Sequence, residues 1–412
     1  MRVVHVSTTD SGGAAISCRR LHEALLAQGC DSHLLTLDRR APAISSHHIY
    51  NERKPMSFFQ KVLYRFGLYT LPHVRKEAAL AGKIKGFEHF SFPDSPFRLD
   101  QSELIRSADI INLHWTADFL DYKSFFQNVR KPFVWTFHDM NTFTGGCHYS
   151  AGCLKFEKVC DVCPQLTGTI DPTISADIQK LKQRSLENAS IRIVCPSRWL
   201  GKAAERSAIL KGKSVQVIPY SLDLNIFRPV SKAEARAKLG LPDDKKILLF
   251  VSHSVENKRK GFDLLLECIG NLALPDLLLC SVGSRFEHHG HAQHIALGHI
   301  STEEQMMLAY NAADVFVLPS TEDNLPNVVL ESLACGVPVL GFRIGGMPDM
   351  IRDGFNGYLS DEISAGALGR IVTRIFNEPV ASAGEIRKEA EVRYHHKIQA
   401  ESYLSLYKEI LS

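Results

Sequence analysis

The sequence predicts an α/β protein of two doubly wound parallel sheets, one following the other along the chain. Three observations carry this expectation. Short apolar runs alternate with longer segments of helical spacing, the pattern of βαβ units. The alternation breaks once, at the polar stretch "RPVSKAEARAKLGLPDDK" (228–245), and then restarts. At 412 residues the chain is long enough for each half to bury a core of its own.

Taken in order, "RVVHVS" reads as a strand and "TTDSGGAA" as a loop. "AISCRRLHEALLAQG" follows as a helix closed by Gly29, with "DSHLLTL" as the next strand. A strand, helix and strand in that order imply parallel pairing with helices on the faces. "ADIINLHW", "FVWTFHD", "IRIVCPS" and "VQVIPY" continue the first half as strands bounded by polar or turn residues. Residues 228–245 read as a connection. The second half runs "KILLFVS" (strand), "GFDLLLECIGNL" (helix), "DLLLCSVG" (strand), "TEEQMMLAYNAA" (helix), then the strands "DVFVLPS" and "VPVLGF". There is no repeat of fixed short period and no low-complexity tract.

Composition narrows the function classes. With 45% hydrophobic and 23% charged residues the chain is an ordinary globular protein. Its 48 bases against 45 acids, net +3, are too balanced for a dedicated nucleic-acid binder. No apolar run approaches the roughly 20 residues that span a bilayer, and the N-terminus is too short in apolar residues for a signal-peptide core. The expected location is the cytosol, where the 10 cysteines are reduced thiols or metal ligands more readily than disulfides. Residues 50–90 stand apart, with eight bases (Arg53, Lys54, Lys61, Arg65, Arg75, Lys76, Lys83, Lys85) against Glu52, Glu77 and Glu88. Phe58, Phe59, Val62, Leu63 and Phe66 share a helical face there. That face either packs inward or rests on anionic lipid, which would make residues 54–85 a peripheral contact with the inner membrane.

The chemistry concentrates in "PSTEDNLPNVVLESLACGVPVLGF" (319–342). A strand, a loop holding Asp323, and a helix opening at Pro326 and ended by Gly336 would place Glu331 in the second helical turn. The loop then lies at the carboxyl end of a parallel sheet, where ligands bind, beside a helix start that favours anions. Two acids there can accept hydrogen bonds from ligand hydroxyls; the plain alternative is a helix-dipole partner and a solvated glutamate. Upstream, Lys258, Arg259 and Lys260 precede Gly261 and a helix, a setting suited to neutralising a diphosphate, or merely a solvated basic turn. The Walker pattern is absent. "DSGGAA" fails as a dinucleotide fingerprint, because Ala14 and Ser17 stand where glycines are needed, yet Gly12 and Gly13 still permit close backbone approach.

Together these stretches resemble family 4 of the glycosyltransferases, retaining enzymes of GT-B fold. "HVSTTDSGGAA" is similar to the family's glycine loop, "WTFHDM" to its central histidine motif, and "CPSRWL" with "VIPYSLDLNIFRP" to the run into the linker. "KRKGFDLLL" is similar to its phosphate-binding segment, and "AADVFVLPSTEDNLPNVVLESLACGVPVLGFRIGGMPDMI" to its acid-pair motif. "INLHW", "WTFHDMNTFTGGCHYSAGC" and "EDNLPN" resemble the branch that builds bacterial exopolysaccharides and O-antigens.

The resemblance implies two Rossmann-like domains facing across a cleft. Residues 1–225 would form the acceptor side and 226–396 the nucleotide-sugar side, with a C-terminal helix, about 397–412, returning to the first. It also implies that Glu331 binds the ribose and Asp323 the transferred sugar, near the amides around Asn324, Leu325 and Pro326. Lys260, helped by Arg259, would stabilise the departing diphosphate. His138 would lie near the sugar and acceptor, and Gly12 and Gly13 near the phosphates. The family's first acid is usually glutamate, so Glu322 competes with Asp323 for the sugar. Ser254 stands where many members carry an arginine.

The implied reaction is transfer of a hexose-type sugar from a nucleotide-diphosphate sugar to a saccharide acceptor, lipid-linked or soluble, with retention and no metal in the chemistry. A non-catalytic nucleotide-sugar-binding or scaffold protein of a polysaccharide assembly is the alternative. His138 also has a reading as a hydrogen-bonded core histidine. Separately, Cys147, Cys153, Cys160 and Cys163 form C-x5-C-x6-C-x2-C. Four thiolates can hold a structural zinc, with His148 as a spare candidate; disulfides and free thiols stay open.

Overall fold

The structure, a computed structural model, describes residues 1–66, 76–78, 80–81, 83–166, 171–252, 257–283, 293–378 and 380–412. Arg75 and Ser254 lie outside the described residues. The chain divides into two compact units. The first comprises Met1–Pro196, Leu200–Ile218 and Tyr403–Ser412; the second comprises Ser197–Trp199 and Pro219–Ser402. The main division therefore falls after Ile218 rather than after residue 225.

In the first unit, β1 (Arg2–Ser7), β2 (Asp31–Thr36), β3 (His47–Ile49), β4 (Ile110–Leu113), β5 (Phe133–Thr136), β6 (Ile191–Cys195) and β7 (Val215–Val217) form one sheet. Their order is β3-β2-β1-β4-β5-β6-β7, and every neighbouring pair is parallel. Central strands such as Ile-Ile-Asn-Leu of β4 are buried at every position, as a sheet covered on both faces requires. The last helix, His396–Leu411, ends in this unit, where it supplies two fully buried tyrosines. Asn112 donates to the Tyr407 hydroxyl at 2.9 Å and its carbonyl accepts from Thr136 at 3.0 Å. Since the single Thr136 proton is used there, Tyr403 donates to Thr136 at 2.8 Å.

In the second unit, β8 (Lys246–Ser252), β9 (Leu277–Gly283), β10 (Gln293–Gly298), β11 (Val315–Leu318), β12 (Val339–Phe342) and β13 (Gly357–Ser360) pair in the order β10-β9-β8-β11-β12-β13. All of these pairs are parallel. The strand period of two divides the core cleanly. Ile247, Leu249, Phe316, Leu318 and Val339 enter one apolar cluster, while Leu248, Phe250, Val315, Val317, Leu340 and Phe342 enter the other. Each sheet is therefore doubly wound.

Residues 228–245 are not a plain connection. They contain the helix Lys232–Leu239, capped by the Ser231 side chain and ended by Gly240 in the left-handed region. Ala235 is fully buried there, and Arg236 reaches Asp314 at 2.9 Å. The helix Phe58–Arg65 has a complete capping box from Ser57 and Gln60, but none of its residues is buried. Phe58, Phe59 and Phe66 are 84%, 69% and 72% exposed, and Val62 and Leu63 are half-buried. Among the described residues the aromatic side of this helix does not pack inward. No described helix is long and apolar enough to cross a membrane.

Candidate active site

In the second unit the chain runs outward through β8, β9 and β10, then returns to the centre and runs the other way through β11, β12 and β13. The reversal lies between β8 and β11, and the crevice beyond the carboxyl ends of such a pair is where open α/β sheets bind ligands. The basic segment follows β8 and the acidic loop follows β11. The sheet topology thus brings together two stretches that are far apart in sequence.

Their tips are fastened to one another. Lys258–Lys260 form a single 3₁₀ turn capped by the Asn257 side chain. Thr321 donates its N–H to the Arg259 carbonyl at 2.8 Å, and Arg259 returns a hydrogen bond to the Glu322 carbonyl at 2.6 Å. Gly261, at φ +67°, lies so close that a Cβ there would overlap the Pro319 carbonyl oxygen. The loop after β12 closes on the same place. Gly346 donates to the Asp323 carbonyl at 3.1 Å, and a Cβ on Gly345 (φ +50°) would overlap that same oxygen.

Asp323 is the centre of this assembly, buried and only 6% exposed. Its Oδ2 accepts from Lys260 at 2.8 Å and from Arg259 at 3.1 Å, while Oδ1 accepts the Asn324 N–H at 3.1 Å. Burial alone would raise its pKa, but Lys260 and Arg259 hold the carboxyl down at about 2. The two cations and one anion leave a net positive charge. Lys260, with 29% of its side chain exposed against 13% for Arg259, is the more accessible cation. Asp323, the second of the two neighbouring acids, pairs with both bases.

Glu331 sits in the helix Asn327–Ala334, 7% exposed, and its Oε2 accepts from the buried Tyr310 hydroxyl at 3.0 Å. Pro326 caps this helix rather than opening it, and a proline offers no N–H to a ligand. Leu325 belongs to the apolar core, and the Asn324 carboxamide accepts from Ser197 at 2.6 Å. Of the amides around Asn324, Leu325 and Pro326 expected near the sugar and phosphates, the Asn324 N–H is used by Asp323 and Pro326 has none. Tyr310, Gly345 and Gly346 are neighbours that sequence reasoning missed, although a glycine pair in the loop after a strand was a readable signal.

In the first unit the corresponding reversal lies between β1 and β4. Gly12 and Gly13 follow β1 and are exposed, Gly12 at φ +89° as the cap of the helix Gly13–Ala27. His114 follows β4 and His138 follows β5. His138 Nε2 meets His114 Nδ1 at 3.0 Å, and His114 Nε2 meets His5 Nδ1 at 2.9 Å. Burial lowers the His138 pKa to about 4, with Asp139 acting in the opposite sense, and it also holds His5 and His114 well below the ordinary imidazole range. Beside them Asp139 accepts from His148 at 2.6 Å and from Trp115 at 2.9 Å. His138 is thus 9% exposed and part of a row of buried imidazoles that the sequence did not reveal.

All 10 cysteines are unpaired. Among the described residues one trio has metal-capable atoms mutually within 4.8 Å, namely His5, Cys18 and His114. Its two imidazoles already use the short contact as a hydrogen bond.

Residues 231–393 match the family described as glycosyl transferases group 1. The chain is 31% identical over 164 residues to D-inositol 3-phosphate glycosyltransferase of Segniliparus rotundus, covering 36% of each protein. It is 31% identical over 202 residues to the same enzyme of Thermobispora bispora, covering 43% of this chain and 46% of the relative. The chain thus spans about a third to a half of the length of these curated relatives. Among solved structures, sucrose-phosphate synthase from Thermosynechococcus elongatus superposes with a TM-score of 0.68 at 20% identity, covering 100% of this chain and 99% of that one. Anabaena HepE in complex with UDP-glucose superposes with a TM-score of 0.63 at 13% identity, covering 99% and 100%. The chain therefore has the two-unit GT-B fold, and its residues 231–393 are similar in sequence to glycosyl transferases group 1.

Proposed function

We propose that the protein is a retaining glycosyltransferase that moves a hexose-type sugar from a nucleotide-diphosphate sugar to a saccharide acceptor, lipid-linked, in cell-surface polysaccharide synthesis. The observation that carries the reading is the junction of Lys260, Arg259 and Asp323 at the reversal between β8 and β11, one helix away from Glu331. The group 1 match over 231–393 spans these residues. HepE has been solved with UDP-glucose and with UDP, which supports a nucleoside diphosphate as the leaving group. The polysaccharide role rests on the motif resemblance, since the matched curated relatives are inositol-phosphate enzymes.

In this reading the glycosidic C–O bond breaks toward the diphosphate, and Lys260 and Arg259 stabilise the charge that develops there. Glu331 holds the ribose and Asp323 the transferred sugar, with His138 assigned to the sugar and acceptor. The acceptor hydroxyl passes its proton to a donor phosphate oxygen and attacks from the leaving-group face, so the anomeric configuration is kept. The exposed aromatic helix Phe58–Arg65, with Lys61 and Arg65 on it, is assigned to the surface of the membrane carrying the acceptor.

The test is a thermal-shift panel of UDP- and GDP-sugars, followed by transfer assays and NMR of the product's anomeric centre. A nucleotide sugar should raise the unfolding midpoint and give a product with the donor's configuration. Binding without transfer to any saccharide would favour the non-catalytic reading, and no stabilisation by any nucleotide sugar would overturn both.

A further inference from the structure

The four cysteines at 147–163 take no part in the proposed chemistry, yet the fold collects them. Cys147, Cys153, Cys160 and Cys163 all line one cavity of about 20 Å³, walled also by Phe90, Gly145, Lys155 and Phe156. That volume holds little more than a single water-sized occupant. His148, the spare candidate, lines a different cavity and is committed to Asp139 and Ser91.

A second feature is independent of the spacing. Lys182, on the helix Ile174–Leu186, is completely buried. Its ammonium donates to the carbonyls of Asn141 and Thr144, and among the described residues no carboxylate lies within ion-pair distance. A buried cation without a paired anion is costly. Both carbonyls lie in the segment that leads into Cys147.

We propose that Cys147, Cys153, Cys160 and Cys163 bind one structural zinc ion as a tetrahedral tetrathiolate whose excess negative charge is offset by Lys182. Binding replaces four S–H bonds with four Zn–S bonds and releases four protons, so Zn²⁺ and four thiolates carry a net charge of −2. No three of the sulfurs lie mutually within 4.8 Å, so binding requires the cysteine side chains to rotate toward the ion. The knot fastens the segment after β5 to two others. Phe90 bridges Cys147, and the Cys160 N–H donates to the Gln179 carboxamide at 2.7 Å. The residue beside the first ligand, His148, is the partner of Asp139 next to His138. The ion therefore positions that loop and touches no reacting atom.

The experiment is elemental analysis of the purified full chain, with thiol titration before and after a chelator strips bound metal. One zinc per chain is expected, with four thiols becoming titratable only on its release. Cobalt replacement should give the visible and charge-transfer bands of a tetrahedral tetrathiolate. Lys182→Met should lose zinc to a chelator on the order of tenfold faster, because the charge that offsets the thiolates is gone. Because cysteine variants can fail to fold, the cobalt spectrum of the unaltered chain decides independently. Absence of metal with all four thiols titratable, a disulfide among them, or a cobalt spectrum without sulfur charge transfer would overturn the proposal. None of these readouts depends on nucleotide binding, so this idea and the transferase reading fail separately.

Discussion

Asp323 is shared by the two cations assigned to the diphosphate, which changes what a substitution at either base does. Removing Lys260 takes away the more accessible positive charge but leaves Arg259 at 3.1 Å from the carboxylate. Lys260→Ala should therefore lower turnover on the order of 10²- to 10³-fold, as loss of one preorganised donor does. The unfolding free energy should fall by no more than about 2 kcal/mol, because the buried carboxylate keeps a partner. Steady-state transfer and thermal unfolding on the same preparation check this, and near-normal turnover would remove Lys260 from the site. The residue types were legible in the sequence: three bases before a glycine, and two acids flanking a helix start. Their direct pairing was not, because contact across β8 and β11 depends on sheet order, which no local spacing encodes. The hydroxyl of Tyr310 on Glu331 was hidden for the same reason, twenty-one positions away on another helix.

At the scale of elements, adjacent strands explain the row of imidazoles. His5 lies on β1, and His114 and His138 follow β4 and β5, so parallel pairing stacks them. Burial favours the neutral form, lowering His22 and His138 to about 4 from an ordinary value near 6.5. The sign follows directly: the unfolded chain takes up these protons first, so stability is fully present above about pH 6.5 and is lost as pH falls toward about 4. For His22 and His138 the loss is on the order of 3 kcal/mol each. Urea unfolding followed by the buried Trp135 should show a falling midpoint between pH 7 and 4.5. A flat profile would mean these rings are solvated. Asp323 contributes in the same direction but in a lower window, from about pH 4 down toward 2. The helix Lys232–Leu239 shows the limit of reading by hydrophobicity. Its apolar content is three alanines and a leucine, so periodicity was faint, yet Ser231-x-x-Glu234 and Gly240 were proper start and stop signals. The strands β3, β10 and β13 passed unread for a related reason: none is a long apolar run.

At the scale of the whole molecule, the two-sheet plan was legible because βαβ alternation is a global pattern, whereas the return of the C-terminal helix to the first unit was expected only through the family resemblance. The helix Phe58–Arg65 and its cap Phe66 expose three phenylalanines beside Lys61 and Arg65, and Phe58→Ser with Phe59→Ser should abolish sedimentation with anionic vesicles while leaving transfer to a soluble acceptor intact. Equal sedimentation of both proteins would dismiss the membrane assignment. The last helix carries a different message. Tyr403 and Tyr407 complete the hydrogen bonding of Thr136 and Asn112 inside the first unit, although they are encoded after the entire second unit. During synthesis the first sheet must therefore wait, with two polar groups in its interior unanswered, until Tyr403–Ser412 has left the ribosome. An early stop within that helix would leave the nascent amino-terminal sheet a permanent client of chaperones and proteases, however faultless its own sequence.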